Sequence, residues 1–336
     1  MRPKLPSPPG GLALALFWAA VLSVISGGVA VLQVLGPPGQ RVPLAAAPAP
    51  PAAASLAPAL RAAGAPVPGP DPDLLEPSHA FPEGRLPRIA PDGRRPMDAY
   101  AAGWNRGDKR PRVAVLLTGF GFFDADSLNA IHDLPPSVSL AMSPYAPHPE
   151  IVLATAHAAG HEVLVSIPMD SPGVAPEELG AHALLAAYTP AQNAVQLEWV
   201  LSRFAGYVGA TGALEGMRGE VLAAQDESFA AVAGQIGARG LIYIDPRPGH
   251  APPSGAGRAV DLILDAPPTR LDIEARLAQL ERIAREHGSA LGLAGPLLPL
   301  TVSELGAWAG GLYARGISLV PVSALVPANR IAEIRQ

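Results

Sequence analysis

Few side chains that can move a proton stand where parallel strands are predicted to end. Asp245 follows an apolar run that begins at Gly240, and Arg247 comes two residues later. Asp170 follows another short apolar run in the same way. A carboxylate in such a position can act as an acid, a base or an orienting group, so these three are the catalytic candidates. The sequence leaves open a second interpretation, in which Asp245 and Arg247 form a structural pair that holds loops together.

No metal-binding pattern is evident from the residue types and their spacing. The chain has no cysteine, which excludes disulfides, thiolate metal sites and cysteine nucleophiles. A catalytic metal usually takes about three protein ligands that include histidine, yet none of the histidines follows a predicted strand. His157 and His161 have the spacing of a zinc-binding pair, but Gly160 is predicted to end the helix between them. We therefore predict that these two histidines form a surface pair.

Short apolar segments alternate with longer amphipathic ones from about residue 111, which is typical of a parallel α/β fold. The first, at 113–117, is an unbroken apolar run that is predicted to be a strand buried on both faces. Further strands are predicted at 138–141, 163–167, 207–210, 241–244, 259–264, 290–293 and 317–320. Helices are predicted at 124–132, 150–159, 190–204, 226–238, 271–287 and 302–314. The near-regular spacing favours a barrel, whose active groups would lie at the carboxyl ends of the strands.

The N-terminal region has the pattern of a membrane anchor. Arg2 and Lys4 precede a long uncharged stretch, and residues 11–35 exceed the roughly 20 apolar residues that span a bilayer. Basic residues before the span predict a cytoplasmic segment at 1–10 and an exported remainder. The alternative is a long signal peptide that is cleaved within the alanine run at 45–47.

Residues 36–110 are predicted to be a Pro/Ala-rich linker followed by a basic approach segment. A globular domain at 111–327 and a C-terminal tail at 328–336 follow. Tyr100 and Trp104 of the approach segment are candidates to pack onto the domain, and its arginines are predicted to be solvated rather than a binding patch. The net charge of -5 argues against a nucleic-acid partner.

Several short motifs resemble the divergent polysaccharide deacetylases, the YibQ-like branch of the NodB-type deacetylase superfamily. They occur in order over residues 111–326 and are Pro111-Arg112-Val113-Ala114-Val115, Ser143-Pro144-Tyr145-Ala146-Pro147, Ala158-Ala159-Gly160-His161-Glu162-Val163-Leu164, Ile167-Pro168-Met169, Gly206-Tyr207-Val208-Gly209, Ala238-Arg239-Gly240-Leu241 and Arg315-Gly316-Ile317-Ser318-Leu319-Val320-Pro321-Val322-Ser323-Ala324-Leu325. The resemblance implies a distorted (β/α) barrel that removes acetyl groups from exported glycans with the help of a divalent metal such as zinc.

The departures from the family pattern fall at the positions that would hold the metal. Thr118 and Gly119 stand where family members carry a pair of aspartates. Ala213 and Gly295 stand at two positions that the family fills with histidine. The family also carries an Asp-Ser-Arg motif, of which this chain keeps the aspartate, Asp245, and the arginine, Arg247. The resemblance therefore implies a metal that these residues do not support, and no cofactor is predicted.

The combined prediction is a single-pass inner-membrane protein with a periplasmic deacetylase-like domain that belongs to envelope carbohydrate metabolism. Its partner is predicted to be an envelope glycan or a peptidoglycan-associated protein, bound through a degenerate metal site. Thr118, Tyr145 and Thr211 are the predicted substrate contacts. The alternative is an active carbohydrate deacetylase or hydrolase that uses Asp245 and neighbouring carboxylates.

Overall fold

The computed structural model describes residues 61–250 and 257–326. The predicted N-terminal segment, the anchor at 11–35, the linker up to residue 60 and the tail at 328–336 lie outside the described residues. Within the described part, no helix has the length and apolarity that a membrane crossing requires.

The fold is a parallel α/β half-barrel made of a curled sheet with helices on its outer side. The strands of the described residues are β1 (Leu75–Pro77), β2 (Arg85–Pro87), β3 (Arg112–Phe120), β4 (Ser139–Met142), β5 (Val163–Ser166), β6 (Gly209–Thr211), β7 (Ile242–Asp245), β8 (Gly257–Ala259), β9 (Leu262–Ile263), β10 (Ser289–Ala294) and β11 (Ser318–Leu319). The helices are α1 (Pro96–Ala99), α2 (Asp124–Asp133), α3 (Pro149–Ala158), α4 (Pro190–Ser202), α5 (Glu220–Ala223), α6 (Asp226–Ala238), α7 (Arg270–His287) and α8 (Pro299–Gly311).

Strand β3 is the centre of the sheet. It pairs in parallel with β10, β4 and β11, and each of its residues from Val113 to Phe120 is fully buried. The predicted strand at 113–117 is therefore confirmed, but hydrogen bonds carry it on to Phe120 beside Met142 of β4. The sheet continues from β4 through β5, β6 and β7 to β8, all in parallel.

One short segment connects the two ends of this sheet. Gly257 to Ala259 pair with β7, and Leu262 and Ile263, which begin three residues after Ala259, pair with β10. The predicted strand at 259–264 is thus divided into two short pieces, because the segment passes from one neighbour to the other.

Alternating residues along the strands face two separate cores. Val113 and Val115 of β3 lie in the outer core against the helices. Ala114 and Leu116 lie in the inner core with Leu164 of β5 and other inward side chains. This alternation follows from the twofold repeat of a strand, and it decides which side chains can reach the inside of the half-barrel.

The folded region begins well before the predicted boundary at residue 111. Residues 61–110 form the antiparallel pair of β1 and β2 together with α1. Leu74 and Tyr100 from this segment are buried in the inner core, and Leu86 is buried in the outer core. Burial of each such side chain contributes about 1.5–3 kcal/mol, so this part of the approach segment belongs to the domain. The sequence did not predict that this segment is folded, because its periodicity is weak and it contains many prolines.

A buried carboxylate fastens this segment to the amino ends of the strands. Glu162 is fully buried and accepts hydrogen bonds from the backbone N–H of Ala102 and from the hydroxyl of Ser139. The backbone N–H and the hydroxyl of Ser323 complete its set of donors. Glu162 therefore joins the approach segment, β4 and the C-terminal turn in one network.

Candidate functional site

The mouth of the half-barrel is the surface at the carboxyl ends of its parallel strands, where Thr118, Thr211 and Gly295 are found. Thr118 is fully buried, and its hydroxyl lies 3.2 Å from the carbonyl oxygen of Glu215 and 3.3 Å from that of Ala294. The hydroxyl can donate to either carbonyl. This side chain is therefore used in holding neighbouring backbone and is not directed to solvent.

Two glycines at the mouth leave no room for a side chain. Gly295 has φ +148°, and a Cβ atom on it would stand 1.9 Å from the hydroxyl oxygen of Thr118. Gly119 has φ +97°, and a Cβ atom there would stand 2.6 Å from the backbone nitrogen of Leu297. Both positions thus combine a backbone conformation that favours glycine with a close approach of other atoms.

A tight turn lies against this part of the mouth. The backbone groups of Leu214 and Met217 exchange two hydrogen bonds, of 3.1 Å and 2.9 Å, around Glu215 and Gly216. Glu215 has φ +54°, and it is the non-glycine residue with positive φ in the described chain. Its carbonyl oxygen accepts from Thr118, while burial raises the pKa of its carboxyl group. Such a strained residue persists only where its surroundings hold it.

Uncharged hydroxyl groups form the inner side of the mouth. Ser166 and Thr211 are directly paired in register on β5 and β6, and both are fully buried. The hydroxyl of Thr211 accepts from the backbone N–H of Ala213 at 3.2 Å, and the hydroxyl of Ser166 has no partner among the described atoms. The predicted substrate contacts Thr118 and Thr211 are therefore both beneath the surface.

The predicted catalytic pair, Asp245 and Arg247, forms a closed ion pair. The Asp245 carboxylate is fully buried and accepts from the Arg247 backbone N–H and Nε, both at 3.0 Å, and from Nη2 at 2.7 Å. Arg247 also donates to the carbonyl of Ala223 and lies 4.8 Å from the ring of Phe229. The geometry corresponds to the structural interpretation that the sequence left open.

Strand alternation explains why Asp245 does not point into the mouth. Ile242 and Ile244 of β7 belong to the inner core, whereas Tyr243 belongs to the outer core. Asp245 follows with the same phase as Tyr243, and its partner Arg247 contacts Ala223 of α5 and Phe229 of α6. A carboxylate with this orientation is separated from the inside of the half-barrel by its own strand.

Asp170 and Tyr145 also hold loops. Asp170 accepts from the backbone N–H of Ala186 through its carboxylate, at 3.2 Å, and its backbone pairs with Leu184. The Tyr145 hydroxyl accepts from the backbone N–H of His182, at 3.1 Å. Tyr145 keeps a partly exposed ring, so its role as a substrate contact stays a prediction.

The two histidines at helical spacing are core residues, so the predicted surface pair is wrong. Helix α3 ends at Ala158, and Gly160 has φ +88°, which separates the two side chains as predicted. His157 is 4% exposed, and burial lowers its pKa to about 4. His161 is fully buried between the carbonyls of Ile131 and Val138. Among the described residues, no three His, Asp or Glu side chains are grouped so as to hold a metal ion.

Asp265 is an ionisable side chain that contacts the mouth directly. Its carboxylate accepts from the backbone N–H of Gly295 at 3.0 Å and from the hydroxyl of Thr301 at 3.1 Å. It is 3% exposed, and burial raises its pKa. Its place after β9 is visible in the sequence, but its contact with Gly295 depends on the pairing of β9 with β10.

A groove beside the mouth was not expected from the sequence. It lies between α2 and α8, has a volume of about 490 Å³, and is lined by Asp126, Asn129, Ala130, Asp133, Leu297, Leu298, Pro299, Val302, Ser303, Gly306 and Ala307. Its charged and amide groups come from one face of α2, and its apolar floor comes mainly from the start of α8 and the residues before it. Phe123, directly before α2, is 72% exposed. The spacing of Asp126, Asn129 and Asp133 on one helix face was the available signal.

A family profile described as divergent polysaccharide deacetylase matches residues 115–326. The chain belongs to this family. The resemblance that the short motifs indicated is therefore confirmed, and the family supports a function related to carbohydrate. No protein with curated function matches the chain.

Two solved structures resemble this member of the divergent polysaccharide deacetylases. The uncharacterized protein ATU2773 from Agrobacterium tumefaciens C58 is 32% identical, and the match covers 72% of this chain and 100% of that chain with a TM-score of 0.67. The catalytic domain of peptidoglycan N-acetylglucosamine deacetylase from Eubacterium rectale ATCC 33656 is 13% identical, covers 69% of this chain and 98% of that chain, and has a TM-score of 0.43. The second likeness is too low to support an argument.

The four positions that the resemblance assigns to metal binding offer a poor set of ligands. Thr118 supplies one hydroxyl, which is already hydrogen-bonded to backbone. Gly119, Ala213 and Gly295 supply no side-chain donor atom. Catalytic zinc is normally held by histidine, carboxylate or thiolate, so these residues do not fit the metal that the resemblance implies.

Proposed function

We propose that this divergent polysaccharide deacetylase is a carbohydrate-binding protein of the cell envelope with a degenerate metal site. Its folded domain is held at the periplasmic side of the inner membrane by residues 11–35. The length of that uncharged stretch and the basic residues before it support the anchor. Membership of the polysaccharide deacetylase family supports the choice of carbohydrate as the ligand.

The observation that carries the proposal is the contact of Thr118 with Gly295. Both residues stand at positions where the resemblance implies metal ligands, and the Thr118 hydroxyl occupies the space that a side chain on residue 295 would need. A hydrolytic water needs a metal or a general base to activate it. Asp245, the sequence candidate for a base, is closed in an ion pair with Arg247.

The groove between α2 and α8 is the proposed glycan site. Ligand sites commonly combine an apolar floor with a few polar groups that fix orientation. Asp126 and Asn129 provide oxygen acceptors for sugar hydroxyls, and Asn129 also provides donors. Phe123, the residue before α2, offers an exposed ring on which a sugar face can stack.

The experiment measures binding and turnover in one preparation of full-length protein. N-acetylated chitooligosaccharides and peptidoglycan fragments are titrated by calorimetry with and without a chelator, and acetate release and bound zinc are measured in parallel. We expect binding that the chelator does not change, without acetate release. Asp126→Asn should weaken binding about tenfold, since a hydrogen bond to a charged group contributes about 1.5–3 kcal/mol.

Glu274→Gln is the matched control because Glu274 is exposed on α7, outside the groove, and its substitution removes the same charge. It should leave binding unchanged. Acetate release that requires stoichiometric metal, or that is abolished by Asp245→Asn in a folded protein, would overturn the proposal in favour of an active enzyme. Equal weakening by Asp126→Asn and Glu274→Gln would remove the groove as the site.

A further inference from the structure

Basic side chains gather around a pocket at the end of the sheet opposite to the mouth. This basic pocket has a volume of about 390 Å³ and is lined by Trp104, Arg106, Asp108, Lys109, Arg110, Pro111, Arg112 and Gly288. Arg112 is the first residue of β3, which places the pocket at the amino ends of the strands. The sequence predicted a solvated surface here, whereas the structure forms a concavity.

The acid in the basic pocket neutralises one of its four cations. Asp108 is bound by Arg110 through Nε at 2.9 Å and Nη2 at 2.5 Å, and these bonds hold the pKa of Asp108 well below its usual range. This pair is neutral as a unit. Within the described chain, Arg106, Lys109 and Arg112 have no carboxylate within 4.0 Å, so the pocket keeps three positive charges.

The two remaining arginines are held near one aromatic ring. The guanidinium carbons of Arg106 and Arg112 lie 5.9 Å and 5.6 Å from the centre of the Trp104 ring. The loop that carries Arg106 is fixed by a hydrogen bond from Gly107 to the side chain of Asn105, at 3.0 Å. Confining like charges in this way is unfavourable unless an anion offsets them, and guanidinium groups match phosphate oxygens well.

The described chain starts on this side of the domain. Arg61 donates to the carbonyls of Ala99 at 2.7 Å and Ala101 at 2.8 Å. Gly103 lies so close to residue 62 that a Cβ on it would stand 2.1 Å from the carbonyl oxygen of Ala62. Trp104 is the next residue. The segment that leads toward the predicted anchor therefore joins the domain beside the basic pocket.

We propose that the basic pocket binds a phosphate group. Three uncompensated cations, a preformed concavity and a fixed loop are the features that recognise such an anion. The phosphate can belong to an anionic lipid headgroup or to a soluble phosphate compound. This site is at the opposite end of the sheet from the groove, so it is independent of the proposed glycan binding.

The test follows Trp104 in the full-length protein, in detergent, during titration with inorganic phosphate. The emission of Trp104→Phe is subtracted so that the other tryptophans do not contribute. We expect saturable binding that weakens with salt. Arg106→Gln combined with Lys109→Gln should weaken it about 25-fold, at about fivefold for each lost charge.

Arg85→Gln combined with Arg282→Gln is the matched control, because both side chains are exposed, lie outside the pocket and remove the same charge. It should bind phosphate as the wild type does. Absence of saturable binding, or equal weakening in the two double variants, would overturn the proposal.

Reconstituted vesicles identify the source of the phosphate. Hydrogen exchange of residues 104–112 is compared in phosphatidylglycerol and in phosphatidylcholine vesicles, with and without added inorganic phosphate. Protection that needs phosphatidylglycerol and is absent from the pocket double variant supports a lipid headgroup. Protection by inorganic phosphate in both vesicles supports a soluble ligand. Protection that survives in the pocket double variant contradicts either form of the site.

Discussion

Gly295→Ala should destabilise the protein by about 2–4 kcal/mol. A residue with a side chain at φ +148° costs about 1–3 kcal/mol of backbone strain. The added Cβ would also stand 1.9 Å from the Thr118 hydroxyl, so the Thr118 side chain must turn away and give up its hydrogen bond. The loss of that bond costs about 1 kcal/mol, and the carbonyls of Glu215 and Ala294 lose a donor.

A double-mutant cycle separates strain from clash. Thr118→Ala removes the hydroxyl that meets the new Cβ, so the double variant Thr118→Ala/Gly295→Ala should be about 1–2 kcal/mol more stable than the sum of the single changes predicts. The free energy of unfolding is measured by urea titration of the full-length protein, followed by circular dichroism. Gly216→Ala, where an added Cβ meets no atom within 4 Å, should cost less than about 1 kcal/mol.

Two results would contradict this prediction. One is a free energy of unfolding for Gly295→Ala within about 0.5 kcal/mol of the wild type, and the other is additivity of the two substitutions. Either result would show that the backbone at the mouth adjusts easily. In that case the contact between Thr118 and Gly295 would no longer support a degenerate metal site.

Three further substitutions test the rest of the interpretation. Burial lowers the pKa of His157 to about 4, so the side chain is neutral in the folded state and protonates on unfolding. Its contribution to the free energy of unfolding should be full above about pH 7 and fall by about 2–3 kcal/mol as the pH decreases to 4.5. Urea titrations should find this loss absent in His157→Gln. Glu162→Gln should lower the free energy of unfolding by about 2–4 kcal/mol, because an amide group would replace the carboxylate that accepts from the N–H groups of Ala102 and Ser323. Hydrogen exchange in this variant should increase first in residues 61–110. Asp245→Asn should cost about 3 kcal/mol by leaving Arg247 unpaired, and glycan binding by the folded fraction should stay unchanged. An unchanged unfolding midpoint in Asp245→Asn would contradict the structural role of that pair.

The elements of the fold could be predicted because their patterns are local. Helix α6 occupies the predicted residues 226–238, and the other predicted helices are present with ends shifted by a few residues. Short apolar runs predicted most of the strands, since a buried parallel strand needs continuous apolar residues. Residues 61–110 were misjudged because short strands and prolines carry little periodicity, and their burial comes from contacts with distant parts of the chain.

The sequence predicted which residues belong to the candidate site, but not how they contact one another. The substitutions at Thr118, Gly119, Ala213 and Gly295 are visible without coordinates, and they raise the question of a lost metal. That the Thr118 hydroxyl fills the space beside Gly295 depends on two strands that are far apart in the chain.

The sequence by itself determined the parallel α/β class, the order of most strands and helices after residue 111, the family and the missing ligand types, because residue identity and local periodicity are properties of the chain. Only the tertiary structure decided that Asp245 faces the helices, that His157 and His161 are core residues, and that a groove and a basic pocket exist. These features depend on the phase of a strand against its neighbours and on the packing of segments distant in sequence. Local patterns do not contain that information.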